Sequence, residues 1–300
     1  MNLDKARFAL NPLQYMATDD GWLDPTLNPP LAERLQYIAS VGFTAVQSDV
    51  PADQTTEAYG AALAAAGLQP GPGYVNLKWS DTPEVRHEQL RQAGDLAENN
   101  VALGTPLLFL SMGMERDALR VQHPARGYGS TPEHLARVRD YLREAAEIIT
   151  AAGGVAALHP HVGTWIETAV ETRYVLDSID DKVLGFGPDI GHLAWTGADP
   201  AQIMAEYAGR IAGVHIKDLN AEIARTSREE RWSYRQTVQE GIWKELGTGD
   251  LDYAPILSTL PEDFNGWIVI EVDRGTTSTP EESINMSAEW LKANTQGALP

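Results

Sequence analysis

Val155-Ala156-Ala157-Leu158-His159-Pro160-His161 is an apolar run that stops at an imidazole. Three later runs end in the same way: Val183-Leu184-Gly185-Phe186-Gly187-Pro188-Asp189, Ile211-Ala212-Gly213-Val214-His215 and Trp267-Ile268-Val269-Ile270-Glu271. Each reads as a buried strand that presents a polar group at its carboxyl end. The spacing is 30 positions from His159 to Asp189 and 26 from Asp189 to His215. Either gap holds one strand–helix unit, so these ends can be neighbours around a barrel. Outward from this stretch, strands are predicted at Arg7–Leu10, Ala45–Gln47, Gln69–Val75 and Pro106–Leu110. With Val155–His159, Leu184–Asp189, Ile211–Ile216 and Trp267–Glu271 they make eight.

Helical spacing fills the intervals at Leu31–Val41, Glu57–Ala66, Val85–Glu98, Pro132–Ala151 and Ile166–Leu176. Thr82-Pro83-Glu84, Thr131-Pro132-Glu133, Asp199-Pro200 and Thr279-Pro280-Glu281-Glu282 each place a capping side chain before a first-turn proline. Glu282 also stands where a capping box has its acid. Strand alternating with helix, without an interdomain linker, predicts an α/β fold: one (β/α)₈ TIM barrel domain over residues 1–300. Two connections are too long for turns, Ser111–Ser130 after the fourth strand and Asp218–Asp250 after the seventh. They are lid candidates on the carboxyl-end face, or else surface excursions or subunit contacts.

Composition narrows the partners. The chain has 23 Lys+Arg against 42 Asp+Glu, a formal charge of −19. That argues against a nucleic-acid backbone or an anionic membrane. With no cysteine, there is no disulfide framework, and any metal must use N and O ligands. Met1-Asn2-Leu3-Asp4-Lys5 lacks the apolar core of a signal peptide, and no apolar run approaches membrane-spanning length. A soluble, cytoplasmic chain is expected.

Taken singly, the polar run ends are open to plain readings. His159 and His161, two apart on a strand, point the same way and serve equally as scaffold or as ligands. Asp189 invites a helix-cap reading, although Asp199-Pro200 is the better helix start. Lys217 shares the face of His215, with a surface Lys217–Asp218 pair as its alternative. Together, His159, Asp189, His215 and Glu271 form a set suited to a hard or borderline divalent cation. Gly247-Thr248-Gly249-Asp250 lacks the Walker lysine and reads as a structural turn, and no Gly-x-Gly-x-x-Gly follows a strand. Gly-x-Ser-x-Gly is absent.

His159-Pro160-His161-Val162-Gly163-Thr164, Pro188-Asp189-Ile190-Gly191-His192-Leu193, His215-Ile216-Lys217-Asp218 and Gly247-Thr248-Gly249-Asp250-Leu251 resemble the xylose-isomerase-like barrels. That superfamily includes sugar isomerases, epimerases, inosose dehydratases and endonuclease IV. The resemblance covers most of the chain and is sharpest toward the inosose (2-keto-myo-inositol) dehydratase branch of inositol catabolism. It implies metal ligands at His159, Asp189, His215 and Glu271, and substrate contacts at His161, His192 and Lys217. The first departs from the epimerase pattern, which has a Glu on strand five, and a two-carboxylate epimerase mechanism thereby loses one acid. The acidic charge disfavours endonuclease IV.

The expected function is therefore a metal-dependent carbon–oxygen lyase that dehydrates an inosose or related keto-sugar. Its cofactor is one divalent ion, Mn²⁺ foremost, with Co²⁺ or Mg²⁺ as alternatives. Glu271, His161, Lys217 and His192 are the candidates for acid and base. Trp165 and Arg274 are further substrate contacts, and Trp195 could stack on a ring. The substrate is expected to be a small neutral polyol ketone. A sugar isomerase or 3-epimerase, a lyase cleaving 3-keto-glycosides, and a sugar-binding module without chemistry are the alternatives. Homo-oligomerisation or a partner subunit stays open.

Overall fold

The computed structural model describes Leu3 and residues 5–295. Of the opening stretch read for a signal segment, Met1, Asn2 and Asp4 lie outside the described residues. The strands are β1 (Arg7–Asn11), β2 (Ala45–Val46), β3 (Gln69–Pro70), β4 (Gly73–Leu77), β5 (Leu107–Met112), β6 (Val155–Leu158), β7 (Gly185–Phe186), β8 (Gly213–Ile216), β9 (Asp218–Leu219), β10 (Trp243–Lys244) and β11 (Trp267–Glu271). The helices are α1 (Leu31–Ser40), α2 (Thr56–Ala65), α3 (Pro83–Ala102), α4 (Leu119–Gln122), α5 (Pro132–Ala151), α6 (Ala169–Ser178), α7 (Ile190–Trp195), α8 (Pro200–Glu206), α9 (Ala221–Glu229), α10 (Tyr234–Gln239), α11 (Tyr253–Leu257) and α12 (Pro280–Asn294).

Parallel pairing runs β3-β2-β1-β11-β8 in one arc and β4-β5-β6-β7 in the other. One break falls at Gly71-Pro72, where Pro72 has no N–H to give a ladder, so β3 and β4 are two pieces of the third barrel strand. The other seam is bridged by Phe186 with Ile211 and Asp189 with His215. The ring closes into the expected barrel. Its strands are apolar on both faces because side chains fill the barrel inside and helices cover it outside. Every residue of β5 and β11 is buried. Helix α5 shows how the outer layer attaches: Val138, Tyr141, Leu142, Ala145, Ala146 and Ile149 are buried at helical three-and-four spacing.

The helix starts differ in detail from the sequence reading. Thr131 and Thr279 cap through their side chains, but Thr82 makes no side-chain cap bond. Glu282 accepts from Ser278 N rather than from the cap residue, so the box is incomplete there. The complete capping box is Thr168 with Glu171. It starts α6 at Ala169, not at Ile166, and leaves Glu167 in the preceding turn.

The long connections are folded. Asp218–Asp250 contains β9, α9, α10 and β10. Its Tyr234, Val238, Ile242 and Trp243 form a second core with Val121, Val162 and Trp195. Trp195 is thus a packing residue, with its indole N–H given to Ser227 Oγ at 3.0 Å. Lys217 and Asp218 do not form a surface pair, since both are fully buried. The Asp218 carboxylate accepts backbone N–H groups from Leu219, Gly247, Gly249 and Leu251. Gly247-Thr248-Gly249 is accordingly a structural turn wrapped round a buried acid. No helix among the described residues is long and apolar enough to cross a membrane.

Candidate active site and metal centre

The bridge between Asp189 and His215 places two expected ligands side by side at the carboxyl ends of β7 and β8. His159, one residue past β6, has Nε2 3.8 Å from Asp189 Oδ2. His215 Nδ1 lies 4.0 Å from that same oxygen and 3.3 Å from Glu271 Oε2. Donors held about 2.1 Å from one cation stand roughly 3.0–4.2 Å apart; His159, Asp189 and His215 bring ligand atoms to within 4.8 Å of one another, and Glu271 adjoins them through His215.

Their hydrogen bonds agree with that use. Asp189 Oδ1 accepts from His192 N at 2.9 Å and caps α7, while Oδ2 lies 3.1 Å from Lys217 Nζ. His159 Nδ1 pairs with Gly187 O at 3.0 Å, so the proton sits on Nδ1 and the Nε2 lone pair faces the centre. Neither ring nitrogen of the fully buried His215 has a partner. Buried polar atoms are seldom left orphaned, and a divalent cation would satisfy His215.

Lys217 enters from β8 beneath this quartet. Its Nζ is 2.6 Å from Glu271 Oε1, 2.6 Å from Asp273 Oδ1 and 3.1 Å from Asp189 Oδ2. The stem passes Gly191, where a Cβ would come within 2.8 Å of Lys217 Cβ, so a side chain there would push the lysine aside. Burial would lower the Lys217 pKa, but Asp189, Asp273 and Glu271 hold it well above its ordinary value. Burial raises Glu271, and Lys217 and His215 more than reverse it, to well below the carboxylate range. Burial, with Glu271 adjacent, pushes Asp273 well above that range despite Lys217. Asp189 is raised by burial and only partly offset by Lys217. Lys217 is thus the one ammonium that Asp189, Glu271 and Asp273 share.

A second group adjoins the first. The His161 and His192 rings are 3.6 Å apart. His192 Nδ1 accepts from Val162 N at 3.3 Å. His192 Nε2 lies 3.1 Å from Lys217 Nζ, whose ammonium can only donate, and 3.5 Å from Asp273 Oδ2. Burial holds His192 well below its usual value and, with Lys217 nearby, takes His161 down to about 3. His161 Nδ1 faces Val162 O at 2.8 Å, so its Nε2 keeps a lone pair. His159, His161 and Glu271 line a cavity of about 830 Å³, while Asp189 and His215 are fully buried.

Four expected substrate contacts do not line this cavity: His192 and Lys217 are fully buried, and Trp165 and Arg274 are engaged elsewhere. Trp165 packs against His134, with Arg120 over its ring at 5.0 Å. Arg274 is tied to Asp19 at 2.7 Å and to Val238 O at 3.3 Å. Residues without a sequence signal of their own also serve the site. Asn11, ending β1, donates to Glu271 Oε2 at 2.5 Å. It follows the same strand-end pattern as the quartet, and that pattern is the signal that would have found it. Tyr74, mid-strand in β4, lines the cavity beside His159 with ring centroids 5.3 Å apart. Glu167 lies behind the site, where it accepts N–H groups from Ala125, Arg126, Gly127 and Gly163 and pairs with Arg120 at 2.9 Å.

Residues 35–294 match the family model of the xylose isomerase-like TIM barrels. An inosose dehydratase of Geobacillus kaustophilus is 26% identical over 293 residues, which is 94% of each chain. The 3-keto-D-glucoside 4-epimerase YcjR of E. coli superposes with a TM-score of 0.70 at 18% identity, over 96% of this chain and 100% of that one. The IOLI protein with a binding zinc atom gives 0.68 at 15% identity, over 96% and 97%. The two structures carry the likeness of fold, and the family model carries the membership: this chain belongs to the xylose isomerase-like TIM barrel family.

Proposed function

We propose that the protein is a metal-dependent lyase that eliminates water from a six-membered ring ketone of the inosose class. One observation carries the choice of elimination over epimerisation. The ligand position at the end of β6 is a histidine whose Nδ1 proton is committed to Gly187 O. No carboxylate therefore stands there to share a proton exchange with Glu271. The similarity to an inosose dehydratase along nearly the whole chain supports the same reading.

His159, Asp189, His215 and Glu271 would hold the cation. When bound, a divalent ion supplies a Lewis acid for the ketone oxygen and acidifies the neighbouring C–H. Glu271 has Asn11 on one oxygen and Lys217 on the other, which suits it to holding charge rather than moving protons. His161 is the group placed to act as base, because its Nε2 keeps a lone pair at the cavity wall. It takes the α-proton as the carbon–carbon double bond forms, and then gives that proton to the β-hydroxyl, which leaves as water. His192 lies against the His161 ring, its own Nε2 3.5 Å from Asp273 Oδ2.

With Mn²⁺ added and 2-keto-myo-inositol in deuterated buffer, loss of water and growth of an absorbing enolised dione are expected. His161→Gln should slow this by roughly 10²–10⁴-fold. An isomer carrying deuterium beside its carbonyl, with no water lost, would overturn the elimination and leave an epimerase.

A further inference from the structure

Asparagine is uncommon inside strands, where branched and aromatic side chains pack better, yet Asn11 ends β1 and is buried. Two features of the chain direct its side chain. Parallel pairing puts Asn11 level with Glu271, the last residue of β11. Pro12 follows, and a proline holds the residue before it extended. The amide therefore meets the carboxylate, and Nδ2 donates to Oε2 at 2.5 Å.

That oxygen is the one beside His215. His215 Nδ1 lies 3.3 Å from Oε2, whereas Lys217 Nζ lies 2.6 Å from Oε1. The last torsion of a glutamate is a soft, roughly two-fold rotor, so the backbone of β11 does not fix the plane of the two oxygens. Lys217 alone does not fix it either, because its ammonium is shared with Asp189 at 3.1 Å and Asp273 at 2.6 Å. Asn11 adds a directional contact on the other oxygen. Its amide is neutral, so it donates without cancelling the negative charge that attracts a cation, as a lysine or arginine in its place would. A carboxylate oxygen has two lone-pair sites, and Oε2 keeps one of them for a metal.

We infer that Asn11 orients Glu271 for the cation, pinning Oε2 beside His215 while Lys217 occupies Oε1. The inference rests on the quartet as the metal centre, and it makes Asn11 a positioning residue and not a ligand. Groups that hydrogen-bond a ligand without touching the metal typically carry about 10–100-fold in metal affinity.

Competition for Zn²⁺ between metal-stripped protein and a chromophoric chelator tests it, since Zn²⁺ binds such a site more tightly than Mn²⁺ and keeps weakened variants in range. Asn11→Leu, which keeps the bulk, and Asn11→Ala, which does not, should each lose about 10–100-fold in affinity while folded by circular dichroism. A purely structural amide would change the melting temperature and leave affinity alone. In a Glu271→Gln background the carboxylate to be oriented is gone, and adding Asn11→Leu there should cost less than about twofold. Wild-type affinity in both single variants, or the full loss again in the Glu271→Gln background, would overturn the role of Asn11 and leave the proposed function intact. Absence of a one-to-one Zn²⁺ complex with wild-type protein would remove the quartet, and this inference with it.

Discussion

Lys217→Met should lower the melting temperature of chelator-treated protein by on the order of 10 °C, and added divalent ion should recover most of the loss. The side chain is fully buried, and its ammonium touches Asp189, Glu271 and Asp273 at 3.1, 2.6 and 2.6 Å. Removing the cationic partner of a buried ion pair typically costs about 3–5 kcal/mol, because the charge left behind is uncompensated. In a chain of this size each kcal/mol moves the midpoint by roughly 2–4 °C. A cation bound by Asp189 and Glu271 would neutralise the same carboxylates from the other side, so its stabilisation should be larger in the variant than in the wild type. Scanning calorimetry with and without Mn²⁺ gives both numbers. A variant that melts with the wild type in chelator would show that Lys217 does not carry this charge balance.

Arg120→Met should be equally costly but indifferent to metal. Arg120 is 1% exposed and reaches Glu167 at 2.9 Å and Glu171 at 2.5 Å, both of them buried. Glu167 gathers backbone N–H groups from Ala125 to Gly127 and from Gly163. The cluster thereby ties the connection after β5 to the turn that carries His161. Loss of the guanidinium leaves two acids without a counter-charge, a penalty again of about 3–5 kcal/mol. Adding Glu167→Gln to Arg120→Met should return part of it, because one buried charge is then gone. Denaturant unfolding of the single and double variants checks this. Additive losses, or recovery on adding divalent ion, would contradict it.

The barrel and the quartet were legible in the sequence because burial writes them plainly. A parallel strand covered on both faces is an unbroken apolar run, so the polar residue that ends it stands out, as His159, Asp189, His215 and Glu271 do. Alternation on the strand placed Lys217 beside His215. The supports were harder to read. Asp189 was weighed as a helix cap or as a ligand; Oδ1 caps α7, and Oδ2 faces Lys217 in the proposed centre. Glu167 looked helical because it adjoins α6, yet the Thr168–Glu171 box starts the helix after it. Arg274 and Trp165 sit near strand ends in sequence but spend their side chains on Asp19 and on Arg120 with His134.

Metal content of the purified protein bears most directly on the four-residue centre. Wild-type protein prepared without chelator should carry one divalent ion per chain by elemental analysis. Asp189→Asn, which keeps the α7 cap oxygen and removes the charge, should carry almost none while remaining folded by circular dichroism. Wild-type stoichiometry in Asp189→Asn would contradict the centre.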